Sequence, residues 1–154
     1  MTIKSDQYWM QKALEQAKKA ELLGEVPVGA VLVKNDQIIG QGFNQPINKS
    51  DPSAHAEIIA LREAGQTVKN YRLVDTTIYV TLEPCAMCAM AMVHARVKSI
   101  VFATREPRTG AAGSLYQLLD NPSHNHQIEI ISGVLKDESS EMLKQFFKKR
   151  RSNT

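Results

Sequence analysis

Cys85 and Cys88, the two cysteines of the chain, stand three residues apart in Pro84-Cys85-Ala86-Met87-Cys88. On a helix, residues three apart share a face, so both sulfurs can converge on one point. A helix N-terminus also lowers the pKa of a thiol and favours the thiolate that binds metal. The pair alone admits three readings: half of a zinc site, a redox pair at a strand-to-helix junction, or two small buried apolar residues. His55-Ala56-Glu57, thirty residues upstream, tips the balance towards metal. If two helix starts flank one end of a central strand, His55 comes within reach of both sulfurs and supplies a third ligand. A structural zinc takes four protein ligands, whereas three leave a position for a water whose pKa falls to roughly 7. Glu57, two residues from His55, can reach such a water without being a ligand, which makes it a general acid-base candidate. His94 lies six residues past Cys88, about 120° round a helix from its face, and reads as a polar helix-end residue. His124 and His126 sit in a loop able to fold back, so a closed four-ligand zinc stays open as an alternative.

These side chains need elements to aim them. From Asp6 to Leu23 the apolar residues Met10, Ala13, Leu14 and Ala17 recur at helical spacing and Gly24 stops the pattern. Val28 to Val33 and Ile38 to Phe43 read as strands joined by the polar Lys34-Asn35-Asp36-Gln37, an antiparallel hairpin. Pro46 to Pro52 reads as a loop. Ser53 is a candidate cap for a helix from Ala54 to about Ala64, ended by Gly65. Thr77 to Leu82 is a strand, and Pro84 suits the first turn of a helix reaching about His94. Ser99 to Ala103 and Ile128 to Ile131 complete five strands, with Arg105 to Ser114 as a polar loop able to reach over a site. Asp137 opens a last helix. Helices interleaved with strands in this order predict an α/β fold, a mixed sheet covered on both faces.

The 154 residues, 43% hydrophobic and 23% charged, suit a single domain over 1–154 with a real core. Disordered, collagen-like and coiled-coil classes are excluded. The opening stretch carries Lys4, Asp6, Lys12, Glu15, Lys18 and Lys19, leaving no apolar segment for a secretory signal, so a cytoplasmic location is expected. The longest uncharged apolar run, about Pro84 to Val93, is half of the roughly 20 residues a membrane helix needs. The net charge of +3 hides an asymmetry: residues 144–154 hold five basic residues and no acids, against 14 basic and 16 acidic residues before them. A near-neutral body with a cationic helix and tail points to a polyanionic partner at that end. The plain alternative is a solvated helix end whose Lys and Arg meet the negative end of the dipole.

His-Ala-Glu followed by Pro-Cys-x-x-Cys is the signature of zinc deaminases that act on nucleobases. On it the chain resembles the zinc-dependent cytidine deaminase-like superfamily, and within it the bacterial tRNA adenosine deaminases. Further stretches carry the resemblance: Glu25-Val26-Pro27-Val28-Gly29-Ala30-Val31, Gly42-Phe43-Asn44, Asn70-Tyr71-Arg72-Leu73, Thr81-Leu82-Glu83-Pro84-Cys85, Thr109-Gly110-Ala111-Ala112-Gly113-Ser114 and Phe146-Phe147. It runs from about Tyr8 to Arg151. The resemblance implies a three-layer α/β/α sandwich with a central mixed five-stranded sheet. It also implies one zinc per subunit and hydrolytic conversion of the wobble adenosine of an arginine tRNA anticodon loop to inosine. Carried over by position, His55, Cys85 and Cys88 hold zinc, Glu57 moves protons, and Asn44 hydrogen-bonds the purine. Ala56 and Pro84 line the pocket through their backbone, and Val28, Pro27 and Leu82 are apolar walls. Glu106, followed by Pro107, stands where the family commonly has Asp, one methylene or about 1.5 Å longer. Lys148, Lys149, Arg150 and Arg151 are the expected contacts to the tRNA anticodon stem-loop, and a homodimer is implied. Met87, Met90 and Met92 are candidates for a partner surface, or for adaptable core packing. Two other classes stay in view: a deaminase of free nucleosides or bases, which the basic tail disfavours, and a noncatalytic zinc or redox module, which Glu57 disfavours.

Overall fold

The computed structural model describes residues 3–152. Its elements run α1 (Asp6–Leu22), β1 (Gly29–Lys34), β2 (Gln37–Phe43), α2 (Pro46–Lys49), α3 (Ala56–Val68), β3 (Thr77–Leu82), α4 (Ala86–Ala95), β4 (Ser99–Thr104), β5 (Glu129–Ser132) and α5 (Lys136–Ser152). The strands form one sheet in the order β2-β1-β3-β4-β5. Pairing is antiparallel from β2 to β1 and from β1 to β3, then parallel from β3 to β4 and from β4 to β5. The mixed five-stranded sheet of the sequence reading is therefore present.

Alternation along the strands splits the core into two layers. Ala30, Leu32, Ile78, Val80, Ile100 and Phe102 pack with Leu61 of α3 and Met92 of α4 on one face. Val31, Val33, Tyr79, Val101 and Ala103 pack with Trp9, Met10 and Ala13 of α1 on the other. Side chains two apart on a strand share a face, so the same strands serve both layers. Near the carboxyl ends of β3 and β4, α5 is tied down by Ser139 Oγ donating to the Thr81 carbonyl at 2.6 Å and Ser140 Oγ donating to Thr104 Oγ1 at 3.0 Å.

Two local features seat α3, which begins beside His55. Asn35 and Asp36 both take positive φ, 51° and 58°, the two-residue turn that matches the twist of a hairpin and sets its register. On β2, a side chain at Gly40 would collide with the Ala60 carbonyl, and a Cβ at Gly42 would lie 2.7 Å from the Ala56 carbonyl oxygen. Glycine there lets the start of α3 lie directly on the sheet.

Several boundaries depart from the sequence reading. Residues expected to form a plain loop include the short helix α2, because Pro46 suits a helix start and the buried Glu25 carboxylate accepts the Ile47 and Asn48 amides at 3.2 and 2.8 Å. Helix α3 starts after His55 rather than after Ser53, whose amide and hydroxyl are engaged by Asp51 Oδ1 at 2.9 and 2.7 Å. It also runs through Gly65 to a left-handed cap at Lys69, since packing overrides the cost of a glycine of roughly 1 kcal/mol. Pro84 lies ahead of α4, whose N-cap is Cys85. Met92 is fully buried and belongs to the core, leaving Met87 as the exposed methionine of the three. No helix among the described residues is long and apolar enough to cross a membrane.

Candidate metal centre and active site

The three expected ligands come from two helix starts beside the carboxyl end of β3, the end of a parallel strand pair where open α/β sheets present their sites. His55 is the N-cap of α3 and Cys85 the N-cap of α4, both with extended backbone, and neither caps its own helix. They turn towards each other instead. His55 Nδ1 lies 3.6 Å from Cys85 Sγ and 3.4 Å from Cys88 Sγ, and all three ligand atoms fall within 4.8 Å of one another. Bonds of about 2.3 Å to sulfur and about 2.0 Å to nitrogen place tetrahedral zinc ligands about 3.5 to 3.8 Å apart. The spacing and the soft donor set both fit zinc.

The remaining histidines stay outside this group. His124 Nδ1 is 3.0 Å from the Leu118 carbonyl and His126 Nε2 is 2.7 Å from the Val97 carbonyl. His94 is exposed at the far end of α4. The closed four-ligand alternative therefore has no fourth histidine, and three protein ligands are the arrangement that leaves a position for water.

Electrostatics favour a bound cation. Hydrogen bonding with Cys88, then with His55, draws the Cys85 thiol down to about 4 against the opposing effect of burial. The same bond to Cys85, together with burial, pushes Cys88 up. A metal takes thiolate ligands, so its uptake by this pair displaces the protons the two sulfurs hold. His55 is raised, chiefly by its hydrogen bond to Cys85. Glu57, in the first turn of α3, is only 4% exposed. Burial raises its carboxyl to about 7, while its own backbone amide and the His55 charge pull the other way.

A pocket of about 130 Å³ opens onto the centre. At about 30 Å³ per water it has room for roughly four waters, the scale of a single base. Of the expected residues, Val28, Asn44, His55, Glu57, Leu82 and Cys85 line it, and Cys88 is buried beneath. Pro27, expected as an apolar wall, is buried outside the lining. Ala56 and Pro84, expected to line it through their backbones, also lie outside the lining. The Ala56 amide donates to Asn44 Oδ1 at 2.9 Å, and the Pro84 carbonyl accepts the Ala111 amide at 2.8 Å.

Glu106 does not line this pocket. Its carboxylate accepts the Arg108 amide at 3.0 Å, and it borders a furrow running to α5 instead. That furrow shares Val26 and Leu82 with the base pocket, then passes Leu143, Lys144 and Phe147 to reach Arg108 and Arg151. Lys148, Lys149 and Arg150 do not line it, and Arg150 lies over the Phe146 ring at 5.5 Å. Val26, Glu83 and Thr109 also line the base pocket and were missed as site residues. All three sit inside motifs quoted for the resemblance, yet neither residue type nor spacing marks them.

Comparison with known proteins agrees with this geometry. Residues 3–104, which span all three ligands, match the family model described as the cytidine and deoxycytidylate deaminase zinc-binding region. A tRNA-specific adenosine deaminase of Haemophilus influenzae is 54% identical over 147 residues, 95% of this chain and 85% of that protein. The Bacillus subtilis protein of the same name is 45% identical over 146 residues, 95% of this chain and 91% of its own length. A structure from work on A-to-I editing by tRNA:A34 deaminases superposes with a TM-score of 0.85 at 37% identity, covering 88% of this chain and 99% of that one. A family model that spans both halves of the ligand set, and relatives that run nearly end to end, carry the conclusion that this chain belongs to the zinc-binding cytidine and deoxycytidylate deaminase family, on its tRNA-specific adenosine deaminase branch.

Proposed function

We propose that the protein hydrolytically deaminates the wobble adenosine in a tRNA anticodon loop, that of an arginine tRNA foremost, giving inosine and ammonia. The observation that carries this reading is the buried Glu57 beside His55, Cys85 and Cys88 at the base of a pocket sized for one base. His55, Cys85 and Cys88 would hold a zinc ion, which would supply a water activated as nucleophile at neutral pH. Glu57 takes one proton from that water and delivers it to purine N1 as the C6–O bond forms, then takes a second proton from the new C6 hydroxyl and passes it to the amine, which departs as ammonia when the C6–N bond breaks. Burial raises the Glu57 carboxyl, in the direction that suits a group that must both accept and donate protons. Asn44 Nδ2 holds the base, while Val28 and Leu82 flank it. A stacked base cannot enter so small a pocket, and an unpaired anticodon loop lowers the cost of extruding one. Incubation of the zinc-loaded protein with total tRNA, followed by nuclease digestion and mass spectrometry, should reveal new inosine at the wobble position. Deamination of free adenosine or a free base without tRNA turnover would overturn the reading.

The furrow from the base pocket to α5 supports an RNA path, because it sets Lys144, Arg108 and Arg151 around the exposed Phe147. Neutralising Lys148, Lys149, Arg150 and Arg151 together should weaken tRNA binding and flatten its salt dependence, by up to about 0.7 in log-log slope for each phosphate interaction removed. Zinc content should not change. Unchanged affinity and slope in the folded quadruple variant would leave the tail as a solvated helix end.

We infer a homodimer from family membership. An apolar groove of about 810 Å³ on the outer side of α3 and α4, with exposed Tyr71 at its edge, is the surface that a second copy would cover. Sedimentation equilibrium that gives a monomer removes this part and leaves the chemistry intact. A tRNA substrate supports a cytoplasmic enzyme.

A further inference from the structure

Glu83 is a carboxylate with 3% exposure, two residues before Cys85, for which the proton-transfer scheme has no use. Its Oε1 accepts the Glu106 amide at 3.0 Å and the Ser114 hydroxyl; its Oε2 accepts the Ala112 amide at 2.9 Å and the Ser114 amide at 3.1 Å. All four donors belong to one irregular segment, residues 105–114, which follows β4. An ionised carboxylate is an acceptor only, with about four lone-pair sites, so these donors fill it. The segment also passes so close that any side chain at Gly110 would overlap the Glu83 carboxylate. Burying a charge is costly unless it is hydrogen-bonded, and this one is spent entirely on a loop that contributes Thr109 to the base pocket and Glu106 to the furrow.

We propose that Glu83 is a positioning residue whose four hydrogen bonds hold residues 105–114 as the outer wall of the base pocket, so that it governs substrate binding more than the chemical step. This rests on the deamination of tRNA adenosine proposed above. The strand end at Leu82 and the ligand at Cys85 fix the Glu83 backbone from both sides. The loop therefore takes its position from the same short segment that delivers a zinc ligand, and the wall is held in register with the reacting centre.

The test compares Glu83→Gln, Gly110→Ala and Ser114→Ala with the wild type in the zinc-loaded full chain. Glutamine keeps the shape of Glu83 but turns an NH₂ group towards N–H donors, losing the bonds at one oxygen and leaving those donors unpaired. Glu83→Gln should raise KM for tRNA by roughly tenfold or more with a smaller fall in kcat, since hydrogen bonds to charged groups are the stronger ones. Zinc content should stay at the wild-type level. Amide hydrogen exchange at Ala112 and Ser114 should quicken while Val80 and Phe102 in the central strands stay protected. Gly110→Ala should reproduce this pattern from the loop side, and Ser114→Ala should show a milder form.

Wild-type KM and wild-type loop protection in Glu83→Gln would overturn the proposal, as would loss of zinc with loop protection intact. Should Glu83→Gln fail to fold, Gly110→Ala decides, and wild-type behaviour there also overturns it. A wild-type enzyme that makes no inosine refutes the functional reading instead, and the exchange measurement still tests the anchoring of the loop.

Discussion

Replacement of Glu57 by alanine is expected to reduce turnover on tRNA by about 10²- to 10⁴-fold, the range supplied by a positioned acid-base group, with zinc content unchanged. The two halves of this expectation come from different observations. Glu57 is buried beside the ligands and lines the pocket, yet the metal-capable group consists of His55, Cys85 and Cys88 without it. The effect should fall on kcat, because a proton is moved in the transition state and not on binding. Loss of activity together with loss of metal would make Glu57 a structural prop for the site, and a fall below about tenfold would remove it from proton transfer. Glu57→Gln sharpens the measurement. It keeps the volume and the hydrogen-bonding reach but cannot shuttle a proton, so it should be nearly as inactive as the alanine variant while melting close to the wild type.

Cys88→Ala should lose both the metal and the activity. Cys88 is fully buried on the first turn of α4, with Sγ 3.4 Å from His55 Nδ1. Two ligands from different helix starts make a far weaker site than three. Metal analysis of the purified variant should find well under one zinc per chain, against about one in the wild type, as for other three-ligand catalytic sites. A ligand held only by the folded state at a hundredfold excess over its Kd stabilises by about 2.7 kcal/mol. The wild type should therefore melt at a lower temperature after chelation, and the variant should show no such shift. Full zinc in Cys88→Ala, or a wild type without zinc whose cysteines cycle as a disulfide, would displace the ligand assignment.

Glu25 and Glu83 illustrate how these pockets are held. Each is a nearly fully buried carboxylate, 1% and 3% exposed, whose charge is met by amides of one neighbouring segment, helix α2 for Glu25 and the loop after β4 for Glu83. Burial alone would raise both; hydrogen bonds from Asn48 and Ile47 to Glu25, and from Ser114, Glu106 and Ala112 to Glu83, outweigh it and leave both lowered. Glu25 fastens the segment that follows Asn44, and Glu83 the segment that carries Glu106 and Thr109. Among the described residues no buried side-chain polar atom lacks a partner, these two carboxylates included.

The amino-acid sequence alone pointed to the candidate ligand triad, to Glu57 beside it, to the five strands and to the mixed layered sheet. Each is written in local pattern: short β-rich, largely apolar runs for β1, β3 and β4, cysteines three apart, and a histidine two residues from a glutamate. Local pattern misled where local preference and packing disagreed. Gly65 reads as a helix stop and lies inside α3, Pro84 reads as a first helical turn and precedes the cap, and residues 46–49 read as loop and form a turn of helix bonded to Glu25. Only the tertiary structure decided which backbone group meets which side chain. Glu83, Thr109 and Val26 carry no mark in composition or spacing, and their place at the pocket depends on a segment more than twenty residues away in sequence, or on the facing strand. The same holds for the furrow, where Lys144, Phe147 and Arg151 of α5 come to lie beside Arg108. Contacts between distant segments depend on the packed whole, because the donors that satisfy a buried charge are chosen by how the chain closes on itself and not by its neighbours in sequence.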